Sequence, residues 1–325
     1  MNVYLEFEKP LQKIELQIEE LKRVVDAGDE TSHTVDKIRD LEKKAEKLKK
    51  EIFTSLTPWQ KAMIARHPER PYTMDYIDMI AEDFEELHGD RAYSDDPSIV
   101  GGFGRLDGKT FMIIGHQKGR GTKDRITRNF GQPHPEGYRK ALRLMKMAEK
   151  FNKPILTMID TPGAFPGVGA EERGQSEAIA NNLINMSRIS TPIISVIIGE
   201  GGSGGALALA VADRLLMLEH SIYSVISPEG CAAILWKKDR EVGKDEYEKA
   251  AKALKITSQD LYDLGVIDGM IEEPLGGAHR DRKATAESIK IAVLRSLNEV
   301  KDRDAGILIE ERYQKFRKLG EYIET

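Results

Sequence analysis

The chain has 325 residues, 40% of them hydrophobic, enough for one large domain or two ordinary ones around a sizeable core. Its 49 basic and 54 acidic residues leave a net charge of −5, so charge offers no case for a nucleic-acid or anionic-membrane partner. The single cysteine, Cys231, can form neither an internal disulfide nor a thiolate zinc site, and the seven histidines contain no HExxH pair. No basic segment followed by an apolar run opens the chain, and no stretch approaches the ~18 apolar residues of a membrane helix. A cytoplasmic protein is expected.

Residues 1–53 read as a helical arm. Leu11, Ile14, Ile18, Leu21 and Val25 recur at spacings of three and four, then Asp26-Ala27-Gly28-Asp29 breaks the pattern. Ile38, Leu41, Ala45, Leu48 and Ile52 resume it in a Lys/Glu-rich background. Such a hairpin must bury its stripe against the main domain or another chain, and a surface that includes a partner subunit is expected.

From Thr57-Pro58 the pattern turns to α/β, so residues 54–325 are read as a second domain. Apolar, partly β-branched runs at 110–117, 155–160, 193–199, 215–219 and 221–227 read as strands. Helix-period segments lie between them, with Ala141, Leu142, Met145 and Ala148 on one face of 138–151. Ile179, Leu183 and Met186 mark a second over 171–188. After 228 the chain reads as mostly helical, ending in a charged helix over about 284–300 and an acidic-basic tail.

Two successive units in 155–213 carry the chemistry: each is a buried strand, a glycine-rich loop and a helix. The first loop is Asp160-Thr161-Pro162-Gly163-Ala164-Phe165-Pro166-Gly167; the second is Gly199-Glu200-Gly201-Gly202-Ser203-Gly204-Gly205. Glycine leaves backbone N–H groups uncovered, and at a helix start those groups lack intrahelical partners. Gly204 and Gly205 are therefore the best candidate oxyanion donors, and one such donor contributes ~3 kcal/mol to a transition state. Gly199, Gly201 and Gly204 also satisfy GxGxxG, with Glu219 about twenty residues on. A dinucleotide site is disfavoured because Asp213-Arg214 leads so soon into the next strand, and because the Asp160–Gly167 loop would have no task. Ser203 has no His/Asp pairing that would make it a nucleophile. Cys231 reads as a small core residue, and His116, His134 and His279, without spaced partners, read as structural.

At these residues the chain closely resembles the carboxyltransferase alpha subunits of bacterial heterotetrameric acetyl-CoA carboxylase. The likeness runs in order through Arg128-Asn129-Phe130-Gly131, Pro135 to Ala141, Asp160 to Gln175, Gly199 to Ala206, Ser224 to Cys231 and Glu273 to Arg280. The resemblance implies a crotonase-like fold of repeated ββα units. It implies an α2β2 assembly whose beta subunit carries the zinc ribbon and most of the coenzyme A site, with no metal in this chain. Partners implied are that beta subunit, the biotin carboxyl carrier protein and, in the wider complex, biotin carboxylase.

The implied reaction moves a carboxyl group from carboxybiotin to acetyl-CoA, giving malonyl-CoA for fatty acid synthesis. The resemblance puts Gly204 and Gly205 at the ureido oxygen of biotin, where charge builds as CO2 leaves. Gly163, Phe165, Pro166 and Gly167, with Gly201, Gly202 and Ser203, are expected to shape the biotin pocket. In the basic run Lys118, Arg120, Lys123, Arg125 and Arg128, residues Arg120, Lys123 and Arg125 are candidates for coenzyme A phosphates or for the partner. Glu171-Glu172-Arg173 could orient the first loop or simply sit at a helix start.

Overall fold

The structure is a computed structural model that describes residues 3–27, 32–236 and 242–320. Helices α1 (Lys9–Asp26) and α2 (Ser32–Thr54) form the expected hairpin. Their stripes face one another: Leu11, Ile18 and Ala45 are buried, with Ile14, Ile38, Leu41, Leu48 and Ile52 packed around them. Each stripe covers the other rather than the main domain. The base of the hairpin is fastened to the main body. Arg280 bridges Glu8 at 3.1 Å and Glu15 at 3.2 Å, and Phe53 meets the rings of Phe7 and His220.

Helix α3 (Pro58–Ala65) opens at Thr57, whose hydroxyl accepts from Gln60 N–H while the Gln60 side chain accepts from Thr57 N–H. Then come α4 (Thr73–Ile80), β1 (Glu82–Glu86), β2 (Ile99–Leu106), β3 (Lys109–His116), the short α5 (Gly121–Thr127) and the long α6 (Pro135–Lys150). Strand β4 (Ile155–Thr161) leads into α7 (Val168–Glu172) and α8 (Gln175–Met186), parted by left-handed Gly174. Strand β5 (Ile193–Gly202) runs directly into α9 (Ser203–Leu207), followed by β6 (Arg214–Leu218) and β7 (Ile222–Ser224). The remainder is α10 (Pro228–Trp236), α11 (Lys244–Ala253), α12 (Ser258–Asp263), β8 (Gly269–Ile271), α13 (Arg282–Val300) and α14 (Ala305–Arg317).

Seven strands line up as β1-β2-β3-β4-β5-β6-β8, and β7 pairs with the far end of β5. The first two pairings are antiparallel and those from β3 onward are parallel, with Met112 opposite Ile155 and Ile155 opposite Ile193. Every residue of β4 is buried, as a central parallel strand covered on both faces requires. One face packs Ile114, Ile159 and Ile197 under Tyr138, Leu144 and Ala178; the other packs Ile113, Met158 and Val196 under Tyr76, Ile289 and Val293. Among the described residues no helix is long and apolar enough to cross a membrane.

Five expected strands are present, but β1, β2 and β8 escaped the sequence pattern. In β2 a Cβ at Gly102 would lie 1.9 Å from Glu85 O, and one at Gly101 would lie 2.7 Å from Leu144 Cδ1. The strand needs glycines where β1 and α6 crowd it, so it lacks the usual β-forming signature. The acidic-basic tail beyond 300, for which no separate element was expected, contains α14. Its Arg312 is buried and donates to Asp213 with both Nε and Nη2 at 2.8 Å, and to Met186 O, Ile189 O and Thr191 O.

Candidate active site

The two glycine loops sit side by side because β4 and β5 are parallel neighbours, with Thr161 opposite Gly201. Their contact leaves no room for side chains. A Cβ at Gly202 would lie 2.3 Å from Pro162 O, and one at Gly205 would lie 2.6 Å from Ala164 N and 2.7 Å from Gly163 C. Gly163 itself has φ 146°, and Ser203 at the apex of the second loop takes φ 56°. Gly163, Gly201, Gly202, Ser203, Gly204 and Gly205 are thus brought together.

Among the described residues, the N–H groups of Ala164, Gly204 and Gly205 have no hydrogen-bond acceptor. The helix that follows has only five residues, so its dipole is small and the free amides matter more than the helix. The Ala164 amide went unnoticed in the sequence, since only the approach of the two loops puts it beside Gly205. The shortness of α9 also removes the dinucleotide reading, which requires a full helix after the glycines.

Gly204 lines a cleft of about 330 Å³ whose other walls include Leu207, Tyr223, Val225, Leu254 and Leu261. The lining is largely apolar, and burial pushes the Tyr223 phenol up to about 12. Neutral hydrogen-bond donors beside an apolar wall suit a planar polar group carried on an apolar ring.

Phe165, Pro166 and Gly167 form the outer limb of the first loop. Phe165 stacks on His134 with ring centroids 4.2 Å apart, and a Cβ at Gly167 would meet its Cε1 at 2.3 Å. Gln175 donates to Phe165 O, and Arg173 holds Glu136 through two hydrogen bonds, so the segment after the loop is braced on α6. None of the three lines the Gly204 cleft.

A second cleft, about 400 Å³, lies on the side of Pro162 and Glu200 and is lined by Arg66, Tyr72, Lys118, Arg120, Arg125 and Phe130, among others. Most of its cations are already engaged. Arg120 pairs with Asp75, donates to Pro68 O and Arg70 O, and covers the Tyr72 ring at 4.4 Å. Arg66 pairs with Glu200 at 2.6 Å and with Glu229 at 2.5 Å, and Lys118 with Asp160 at 2.6 Å. Burial alone would lower the Lys118 ammonium, but the Asp160 and Glu200 carboxylates hold it above the ordinary lysine value. Arg125 lies 5.5 Å over Phe130 and, among the described residues, has no acidic partner; neither does exposed Lys123, which does not line the cleft.

The histidines separate. His116 is fully buried, its ring near the Gly205 and Met158 backbone without a well-formed hydrogen bond, and burial pulls it down to about 3. His279 stacks on His67 at 3.9 Å, and the pair converges with Glu8. That trio is the one grouping of potential metal ligands among the described residues. Two of its members are engaged: Arg280 and Leu5 N–H hold Glu8, and His67 donates from Nε2 to Val3 O and accepts at Nδ1 from Glu69 N–H, whereas neither ring nitrogen of His279 has a hydrogen-bond partner among the described residues. Cys231 is half-buried in α10.

Residues 4–320 match the family described as acetyl co-enzyme A carboxylase carboxyltransferase-like. The acetyl-coenzyme A carboxylase carboxyl transferase subunit alpha of Methylococcus capsulatus is 54% identical over 321 residues, covering 99% of this chain and 98% of the relative. That of Geobacter metallireducens is 56% identical over 320 residues, covering 98% of each. Two solved structures share the fold at low identity. The transcarboxylase 12S core is 22% identical with a TM-score of 0.55, over 70% of this chain and 42% of that one. A Pseudomonas malonate decarboxylase hetero-tetramer bound to coenzyme A is 17% identical with a TM-score of 0.58, over 75% of this chain and 95% of that one. The architecture is the crotonase-like one.

Proposed function

Because this chain belongs to the acetyl-coenzyme A carboxylase carboxyltransferase alpha-subunit family, we propose that it supplies the carboxybiotin half of a carboxyl transfer yielding malonyl-CoA. The carboxyl donor reaches it as a substrate carried on a separate biotin carrier protein. The observation that carries the reading is the pair of unpartnered amides at Gly204 and Gly205, the first lining an apolar cleft and the second buried directly behind it. As the bond between the ureido nitrogen and the carboxyl carbon breaks, charge accumulates on the ureido oxygen. The two N–H groups donate to that oxygen, and the Ala164 N–H is a third donor within reach of the same place. The apolar walls take the ring and exclude water, which strengthens those hydrogen bonds. No side-chain base is assigned, since the departing ureido anion can itself take the proton from acetyl-CoA.

Gly163, Gly201, Gly202 and Ser203 shape the donor's pocket by letting the loops touch. Phe165, Pro166 and Gly167 act one step removed, by stiffening the outer limb. The beta subunit of an α2β2 complex is the natural holder of the acetyl-CoA enolate and of any zinc. Arg125 is the best of the basic residues to meet a coenzyme A phosphate, because it lines a cleft and has no acidic partner. Residues 1–53 serve as an arm on the 54–325 transferase domain.

The test is reconstitution. The purified chain alone should give no malonyl-CoA from acetyl-CoA and carboxybiotin, and adding the beta subunit should start the reaction. Acyl-CoA turnover by this chain on its own would overturn the proposal.

A further inference from the structure

We propose that Lys118 and Asp160 are positioning residues: a buried ion pair that sets the pitch of the glycine loop carrying Gly204 and Gly205 without touching substrate. The inference rests on the oxyanion reading of those two amides. Asp160 Oδ1 accepts from Lys118 Nζ at 2.6 Å and from the Glu200 N–H at 2.9 Å. The Asp160 side chain is 1% exposed and that of Lys118 is 15% exposed. The carboxylate therefore ties the ends of three adjacent strands: Lys118 lies two residues beyond β3, Asp160 is the last but one of β4, and Glu200 stands near the end of β5.

The chain makes room for this pair. A Cβ at Gly199 would lie 2.5 Å from Asp160 Oδ1, and one at Gly131 would lie 2.5 Å from Lys118 Cγ. Glycine at both positions lets the lysine stem and the carboxylate meet behind the loop. The Glu200 carboxylate bridges two cations: Oε2 lies 3.8 Å from Lys118 Nζ, while Oε1 accepts from Arg66, which reaches Glu229 on α10. Residue 200 is thus pinned through its backbone to β4 and through its side chain to α10, four residues before Gly204. Between them Gly202 is wedged against Pro162, so a shift at residue 200 has little slack in which to dissipate. A displacement of about 1 Å of such donors costs on the order of a hundredfold in rate.

The experiment uses the assembled complex with the beta subunit and compares Asp160→Asn, Lys118→Met, the double variant and Lys118→Arg. Asparagine still accepts from Glu200 N–H but removes the nearer counter-charge of Lys118 and leaves it the Glu200 carboxylate at 3.8 Å, so Asp160→Asn should lower kcat by roughly tenfold to a hundredfold. KM for carboxybiotin and acetyl-CoA should move by less than about threefold, since Asp160 is buried and the Lys118 ammonium, although it lines the Arg125 cleft, is held by Asp160 and Glu200. The double variant, neutral at both positions, should regain much of the loss, and Lys118→Arg should do likewise by keeping the charge.

An unchanged kcat in Asp160→Asn, or a rise in KM alone, would overturn the proposal; a KM effect would mean that Lys118 binds substrate. Loss of activity strictly in proportion to loss of assembled complex would make the pair merely structural and would also overturn it. Should Asp160→Asn fail to assemble, the more exposed Lys118→Arg and Lys118→Met carry the same test. Gly204→Ala separates the two claims: full activity there sinks the oxyanion reading itself, whereas a slow Gly204→Ala beside unimpaired Lys118 and Asp160 variants sinks only the positioning role.

Discussion

Gly205 stands so close to Ala164 that any side chain on it would begin 2.6 Å from the Ala164 nitrogen, closer than a Cβ packs against a non-bonded atom. The same approach puts the free amides of both residues side by side. Packing and proposed catalysis therefore make the same demand for glycine here, and substitutions must be chosen to tell them apart.

Gly204 and Gly205 should separate these demands. At Gly204 a Cβ would meet only Ile179 methyl carbons at 3.9 Å, so Gly204→Ala should fold and assemble normally. It should nevertheless lower carboxyl transfer, because the methyl intrudes beside the amide bordering the cleft. Gly205→Ala should destabilise the chain by about 1–3 kcal/mol through overpacking. Thermal unfolding and transfer rates on both variants check this; a Gly205→Ala chain as stable as the parent would contradict the contact.

The Arg70–Glu273 pair should give the protein an acid limit. Both side chains are essentially buried, and Glu273 also accepts from His220 N–H and Ala278 N–H. Burial alone would raise the Glu273 carboxyl, but Arg70 and the added donors bring it down to about 2. A depressed carboxylate contributes stability above its unfolded value, and that contribution drains away as pH falls from about 4.5 towards 2. Urea midpoints of wild type should fall through this window. Glu273→Gln should be weaker at neutral pH, by about 3–5 kcal/mol, with a flatter acid limb. An identical acid limb in the variant would remove Glu273 as its cause.

Arg125→Ala in the assembled complex should raise KM for acetyl-CoA and leave kcat at saturation nearly unchanged, as expected for loss of a binding contact. Losing one charge-assisted hydrogen bond of ~1.5–3 kcal/mol corresponds to roughly a tenfold or larger rise. Steady-state kinetics with acetyl-CoA varied at fixed donor decide it; an unchanged KM would mean that Arg125 does not meet the coenzyme A phosphates.

Arg312→Leu should loosen the carboxyl-terminal helix from the sheet. It would leave Asp213 buried without its partner, at a cost of about 3–5 kcal/mol. Hydrogen exchange over residues 305–317 should rise well above that of α13, and equal protection in the variant would contradict the anchoring role.

The hairpin, the central strands and the two glycine loops were legible in the sequence because they follow local rules. Apolar residues spaced by three and four make a helix stripe, unbroken β-branched runs make buried strands, and glycine clusters after a strand mark tight loops. The ordered likeness from Arg128 to Arg280 extended that reading to the family. Strand β2 was not legible, since its glycines answer to Glu85 and Leu144, residues distant in the chain. Nor was α14, which is held to the body by buried Arg312, by Lys315 on Asp268 and by Leu308 rather than by a clear apolar face.

At the site, the chain's own order determined which residues could donate backbone N–H groups, since bare amides at a glycine-rich turn are a property of local composition. It did not determine which would be left free, or what would face them. Only the packing of β4 against β5 brought Ala164 to Gly205. Packing also spent Arg120 on Asp75 while leaving Arg125 without a counter-ion, and joined Lys118, Asp160 and Glu200 into one network. Charges and donors in a sequence carry no partners until the chain closes on itself, and pairing energies depend on distances of a few ångströms that residue spacing alone does not encode.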